Sequence, residues 1–380
     1  MHFGFGLVSN LPAYQSYSVN VFQVPLVYPE PNPPLPPGTQ NVSIFPQHPG
    51  DPRSRNWLFG IQQQLAPNTV MTLNYTGNQD SHMQAGVDFA PINLNPGNYV
   101  TQARPLPNFA SENLDSDTLK SNYNALQVQV RHNAGKLNAE VNYTWSHEID
   151  DLVNVFSGFS DPYDPSKDRG PGDWDIRQNI TGSLVYSLPD LKQSNAVVRG
   201  AFGGWQASSI VQARSGGPVN VTIESGFFGL PVRPDLTGEP IRLPNFSWPR
   251  HSYNVAAYQI EPTFNGTPGD PSTIGDVGRN SLRAPSFVQW DLSGMKNFTI
   301  VKSVKAQFRV DVFNILNHPN FGNPDGGICT AFTAATPTTA ASCTTNSNFG
   351  LVSGTIADTN NSQIGTGTAR QEQFALKIMF

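Results

Sequence analysis

This sequence has little charge, almost no cysteine and no long apolar run. Lys and Arg number 23 and Asp and Glu 28 in 380 residues, so charged side chains are 13% of the chain, about half the usual ~25%. The net charge of -5 does not favour a nucleic-acid partner, since phosphate binding needs a basic surface. No run of about 18 apolar residues occurs, so no membrane-crossing helix is encoded. Aromatics at 11% are too frequent for a globally disordered chain.

Catalytic signatures are missing too. The sequence holds no G-x-S-x-G, no P-loop and no H-E-x-x-H. Its seven histidines are scattered, and His147 has no second histidine nearby. An enzyme, a cofactor and a metal centre are therefore not expected. The start, Met1-His2-Phe3-Gly4-Phe5-Gly6, lacks a basic segment, an apolar core and a small-residue cleavage site, so no signal peptide is expected within the chain. Cys329 and Cys343 sit in one Thr/Ala/Ser-rich stretch without CxxC or zinc spacing. Two readings stand: free thiols, or a loop-closing disulfide of an oxidising compartment, worth about 3 kcal/mol by loop entropy.

What the sequence does have is alternation. At 137–145 the odd positions Leu137, Ala139, Val141, Tyr143 and Trp145 are apolar, and the even ones are polar. At 304–312 the even positions Val304, Ala306, Phe308, Val310 and Val312 are apolar against Lys305, Gln307, Arg309 and Asp311. Period two is the mark of a strand with two unlike faces. Seven further ribbons follow: Trp57 to Leu65 (broken by Gln63), Met71 to Tyr75, Leu126 to Arg131, Ile180 to Leu188, Trp205 to about Ile223 with a bulge expected at Gly216-Gly217-Pro218, Val288 to Ser293, and Phe374 to Phe380. Short and long links alternate between them. This predicts an all-β, antiparallel up-and-down meander, with long loops at one end and short turns at the other.

Such a meander fits a soluble sandwich or a transmembrane barrel. Three features favour the barrel. The apolar parity of the quoted ribbons carries no charge, whereas Glu140, Lys305, Arg309, Asp311 and Lys377 all take the polar parity; Arg or Lys facing lipid at mid-depth costs about 2–4 kcal/mol. Trp57, Tyr75, Tyr143, Trp145, Trp205 and Trp290 are candidates for the interface girdle of a membrane barrel. The ribbons are also long enough to cross a bilayer when tilted, longer than most soluble strands. The fold expected is part of a barrel, about nine or ten strands, with long extracellular loops and short periplasmic turns. Residues 1–55 read as a Pro-rich loop or the end of a preceding strand region, with Tyr17, Val19 and Val21 as a candidate strand, and 56–380 as barrel. An alternative is a secreted or surface-exposed β-rich adhesin with a soluble core, its apolar ribbon face covered by a second sheet.

Two loops draw separate expectations. Glu148, Asp150, Asp151, Asp161, Asp164, Asp168, Asp173 and Asp175 form the densest acidic region. Oxygen ligands suit Ca²⁺, but the spacing fits no EF-hand, and a solvated loop is the plainer reading. Residues 326–357 carry no charge and are rich in Thr, Ala and Ser, and they read as a loose loop tip.

Several compound motifs occur in order. They are Asn124-Ala125-Leu126-Gln127-Val128, Asn142-Tyr143-Thr144-Trp145-Ser146, Asp173-Trp174-Asp175-Ile176-Arg177, Gly203-Gly204-Trp205-Gln206, Ser215-Gly216-Gly217-Pro218, Gly278-Arg279-Asn280-Ser281-Leu282-Arg283, Trp290-Asp291-Leu292, and Phe313-Asn314-Ile315-Leu316-Asn317-His318-Pro319-Asn320-Phe321-Gly322. Together, over 56–380, they resemble the C-terminal barrel half of TonB-dependent outer-membrane transporters of the Oar-like group. The resemblance implies a larger barrel in the outer membrane of a Gram-negative-type bacterium, with an N-terminal plug and a TonB-contacting segment that this chain lacks. It implies contact with outer-membrane lipid and the barrel-assembly machinery, uptake of an unidentified extracellular ligand, and a TonB complex reached only through that missing part. The alternating end Phe374, Leu376, Ile378 and Phe380 looks like the assembly signal of such barrels.

Overall fold

The computed structural model describes residues 2–9, 40–44, 50–88, 109–151, 165–223, 233–260, 275–301, 304–333, 342–356 and 369–380. Ten strands run in order: β1 (His2–Ser9), β2 (Arg53–Ala66), β3 (Thr69–Asp88), β4 (Phe109–Ala134), β5 (Leu137–Asp150), β6 (Gln178–Ser187), β7 (Trp205–Arg214), β8 (Phe287–Val301), β9 (Val304–Phe313) and β10 (Gln371–Met379). Each is hydrogen-bonded antiparallel to the next, an up-and-down meander. Gln40–Ile44 adds a parallel strip beside the start of β4, and Gly170–Pro171 pairs with the end of β5. Among the described residues β1 and β10 are the two ends of the path and do not pair with each other.

β2 to β10 contain the nine alternating ribbons. The strand before β2 differs from expectation: it is β1, while Tyr17, Val19 and Val21 lie outside the described residues. In His2–Ser9 the apolar Phe3, Phe5 and Leu7 alternate partly with glycines, so period two has little polar contrast. β3 and β4 also extend past their ribbons, pairing as far as Asp88 with Asn113. Beyond Tyr75 the sequence is mostly polar on both parities, so period two loses its contrast there.

Short turns close one end. Pro67-Asn68 joins β2 to β3 and Gly135-Lys136 joins β4 to β5. Asn68 and Gly135 take φ of 63° and 52°, the left-handed conformation that two-residue hairpins need. A helix, α1 (Ala196–Phe202), lies in the link from β6 to β7; the Asn195 side chain caps it, accepting from the Val198 amide at 2.8 Å.

Cross-strand registers sort the two faces. One lateral row is Ile61, Leu73, Val128, Tyr143, Ile180, Ala213 and Val288; a neighbouring row of opposite parity is Gln62, Thr72, Gln129, Asn142, Thr181, Gln212 and Gln289. The apolar face is left open. Val141, Trp145, Ile180, Leu184, Phe374 and Leu376 are all exposed, and no second sheet covers them among the described residues. That arrangement contradicts a sandwich with a soluble core.

The rows are also staggered. The row through Gln63, three residues from the turn end of β2, passes through Met71, Val130, Val141, Gly182 and Val211 to Trp290, three residues from the opposite end of β8. This slip is the shear that tilted barrel strands require. It also accounts for Gln63, the polar break in the first ribbon, which sits close to a turn.

At the other end the long links after β5, β7 and β9 fold together into a cap. Four two-stranded ladders frame it: Pro218–Val219 with Leu282–Arg283, Asp235–Leu236 with Tyr258–Gln259, Arg242–Ser247 with His251–Tyr253, and Cys329–Thr333 with Ser342–Thr345. Val221, Ile223, Tyr253, Leu282, Ile328 and Phe349 are buried in its hydrophobic core. Two expectations are corrected here. The ribbon from Trp205 does not continue to Ile223: β7 stops at Arg214, and the chain leaves the sheet at Gly216-Gly217 to enter the cap. A Cβ on Gly216 would stand 1.7 Å from the Ala284 carbonyl oxygen, so the departure needs glycine. Residues 326–356 are not a loose tip in their described part, since Ile328, Cys329 and Phe349 are core; low charge there reflects burial.

Candidate functional site

Two surfaces are candidates, one on the sheet and one at the base of the cap. The first is the polar sheet face. Gln129 Nε2 donates to Asn142 Oδ1 and Glu140 Oε1, both at 3.0 Å, and Arg131 pairs with Glu140 at 3.2 Å. A cavity of about 150 Å³ opens among Thr72, Asn74, Gln127, Gln129, Asn142 and Thr144. Amides and hydroxyls offer both donors and acceptors, so this wall is suited to passing polar, uncharged groups. It presents no nucleophile–base pair.

The second surface is the base of the cap, where the acidic stretch meets arginines from far along the chain. Buried Arg279 pairs with the Asp150 carboxylate, donates to the Asp150 carbonyl (2.9 Å) and the Asp168 carbonyl (2.8 Å), and lies 3.4 Å from Asp173. Buried Arg233 pairs with Asp168 and donates to the Lys167 and Val277 carbonyls, each at 2.8 Å. Asp175 accepts from Arg177 (2.6 Å), Arg283 (2.5 Å) and the Glu148 amide (2.9 Å), with His147 at 3.3 Å. Arg169 holds Asp151 at 2.8 Å.

Electrostatics follow from these contacts. Burial pushes the Arg279 guanidinium down to about 10, with the charge of Glu148 acting against it. Burial alone would raise the Asp175 carboxyl, but hydrogen bonds from Arg283, Glu148 and Arg177 outweigh it and hold the group below the usual carboxylate range. Burial pushes the Tyr258 phenol in the cap core up to about 12. Asp150, Asp151, Asp168, Asp173 and Asp175 thus serve as arginine acceptors. No group of three or more potential metal ligands assembles among the described residues; Asp161 and Asp164 lie outside them. The sequence showed both partners but not their pairing, because Asp150 and Arg279 are 129 residues apart.

Four of the compound motifs, at 173–177, 278–283, 290–292 and 313–322, turn out to be joints where the long links meet one another and the strand ends. Asn280 Nδ2 donates to Asp173 Oδ1 at 2.7 Å, linking two of them directly. In a third, the Asn314 amide donates to Asp291 Oδ1 at 2.8 Å, and Asn320 exchanges two bonds with the backbone of Val288, at 2.8 and 3.0 Å. The Asn317 side chain accepts from the Arg370 amide at 3.0 Å, tying the same turn to the start of β10.

The residues singled out from sequence fall in three places. Trp57, Tyr75 and Trp145 lie on the apolar parity toward the cap, where Tyr75 donates to Asn124 at 2.7 Å. Trp290 lies near the cap end of β8, where it donates to Ser209 at 2.8 Å; Tyr143 is mid-strand in β5, and Trp205 is at the turn end beside α1. Phe374, Leu376 and Ile378 line the exposed apolar face of β10, and Phe380 projects beyond its end. Cys329 and Cys343 are joined in a disulfide, with Cα atoms 5.4 Å apart, at the rim of the cap core.

Residues 3–373 match the profile of a family described as outer membrane beta barrel domain. No curated protein matches the chain. Among solved structures, the chain is similar to the outer membrane transporter YddB from Escherichia coli, at 9% identity and a TM-score of 0.43. The match covers 90% of this chain and 34% of that one, so the chain spans about a third of that transporter's length.

Proposed function

Because the chain belongs to the outer membrane beta barrel domain family, we propose that it is the C-terminal barrel portion of a TonB-dependent receptor of the Oar-like group, which takes up a ligand across the outer membrane. The protein resides in the outer membrane, and its exposed apolar face is the surface that meets lipid. The observation that carries the reading is the two-faced sheet topped by a preformed cap. The amide-rich rows line the path, the cap at the long-loop end meets the extracellular ligand, and the short turns face the periplasm. Among the described residues the two edges of the sheet do not pair, and open edges are not tolerated in a bilayer, which supports closure by further strands, from a longer receptor or from another copy. The barrel-assembly machinery inserts it, with Phe374, Leu376, Ile378 and Phe380 as the recognition strip. The chain carries out no catalytic step and needs no cofactor.

The test is a blot of native outer membranes with an antibody to residues 326–357, combined with crosslinking in cells to TonB. A band far heavier than 41.4 kDa that crosslinks to TonB is expected. A band at 41.4 kDa with no crosslink would overturn the receptor reading.

A further inference from the structure

Helix α1 lies against the outer, apolar face of the sheet at the turn end. Two side chains of one lateral row hold it there. In that row Trp205, Lys296, Phe308 and Leu376 are register partners. Trp205 Nε1 donates to the Ala201 carbonyl at 2.8 Å. The Lys296 ammonium donates to the Gly200 carbonyl and lies 3.4 Å from that of Arg199. A cation near helix C-terminal carbonyls is favoured by the helix dipole, and Lys296 also rests over the rings of Trp205 (5.8 Å) and Phe298 (5.3 Å). This lysine has the apolar parity, where a charge facing acyl chains is costly. It is nonetheless buried, under α1.

α1 itself buries none of its residues. Val197 and Phe202 are strongly exposed, as are Ile300, Val301 and Phe380 of the adjoining sheet end. Together they continue the lipid-facing band past the last full row of the sheet. A cavity of about 500 Å³ opens between the helix and β8. Its walls carry Lys192, Arg199 and Lys296 against the single acid Asp190, with Phe298 on the sheet side. A basic recess at the edge of an apolar band is the arrangement that receives a phosphate headgroup while its acyl chains lie along the band.

We propose that this recess is a binding site for one anionic phospholipid of the periplasmic leaflet, and that α1 is an interfacial anchor on the outside of the barrel. Lys192 and Arg199 contact the phosphate, Lys296 holds the helix over the recess, and Phe298 and Ile300 meet the acyl chains. The excess of two positive charges on the wall selects an anionic lipid over a zwitterionic one. The proposal rests on membrane residence and not on the receptor reading, so a failure of TonB crosslinking leaves it standing.

The protein extracted from outer membranes in mild detergent, exchanged into nanodiscs of mixed phosphatidylethanolamine and phosphatidylglycerol, is examined by native mass spectrometry. One retained phosphatidylglycerol per chain is expected. The double variant K192Q/R199Q removes the two charge-assisted phosphate contacts, and retention is expected to fall at least about tenfold. Lys136→Gln, on a turn at the same end but outside the recess, removes a charge without loss of lipid and serves as the folding and charge control. Equal retention by K192Q/R199Q and the unaltered protein, an equal loss in Lys136→Gln, or a co-purified peptide in place of lipid would each overturn the proposal.

Discussion

The same side chain has two fates in this molecule. Ile180 on β6 is 41% exposed and Ile223 in the cap is 2% exposed; Val141 on β5 is 50% exposed and Val221 in the cap 0%. Burial in the cap follows the rule for soluble domains, where removing apolar area from water contributes about 25 cal/mol per Å². On the sheet the open apolar face meets hydrocarbon, so it gains nothing from a protein partner. Charge is handled differently as well. Within the alternating ribbons charge keeps to the polar parity, and Lys296, of the other parity, is sheltered under α1, whereas the cap buries Arg233 and Arg279 and pairs them with carboxylates. One region is held by backbone ladders in an apolar solvent, the other by a small water-excluding core on an ionic base.

The largest way to separate the two is Arg279→Ala. It strands the buried Asp150 carboxylate and leaves the Asp168 carbonyl without this donor, and breaking a buried pair costs about 3–5 kcal/mol. Rapid protease cleavage within the cap is expected in intact outer membranes, while the heat-modifiable gel mobility of the barrel is retained. Loss of both together would mean that cap and sheet are one cooperative unit.

The next contrast lies within the sheet. Val141→Arg places a cation on the lipid face and is expected to cost about 2–4 kcal/mol, read as reduced insertion. Thr181→Arg, on the polar row, is expected to insert normally. Equal effects would erase the distinction between the faces.

Cys329→Ser opens a disulfide spanning 14 positions, worth about 3 kcal/mol by loop entropy. Its effect is expected to be confined to the cap, seen as lower protease resistance without a change in insertion. Reductant applied to the unaltered protein reproduces the loss, and no change in either case would show that the core holds the cap without the bond.

Acid gives the smallest effect. The Asp175 carboxyl is depressed in the fold. Its contribution is therefore complete above the unfolded value near pH 4 and disappears as pH falls through the lower, folded one. Protease resistance of the cap is expected to decline below about pH 4, and Asp175→Asn to flatten that decline. An unchanged acid profile in the variant would move the effect to other carboxylates.

Legibility in the sequence followed solvent. Where one strand face meets lipid and the other polar side chains, period two is sharp, and the nine ribbons at 57–380 mark nine observed strands. It failed wherever both faces are alike. The polar extensions of β3 and β4 read as loop, and the glycine-containing β1 was displaced in expectation to Tyr17, Val19 and Val21. The aromatic and C-terminal positions were visible as residues on ribbon ends. The arginine base of the cap was not, because a solvated acidic loop and one neutralised by distant arginines look identical locally.

The sequence by itself determined the meander, its two unlike faces and the separation of short turns from long loops, because alternation and turn chemistry act over a few neighbouring residues. It also contained the motif strings, without their meaning. Only the tertiary structure decided that Gly278–Arg283 meets Asp173–Arg177, that the uncharged stretch around Ile328 and Phe349 is a core, and that Lys296 is sheltered under α1. Those outcomes depend on the stagger of the strands and on which loops it brings together, and contacts across a hundred residues leave no local periodicity to read.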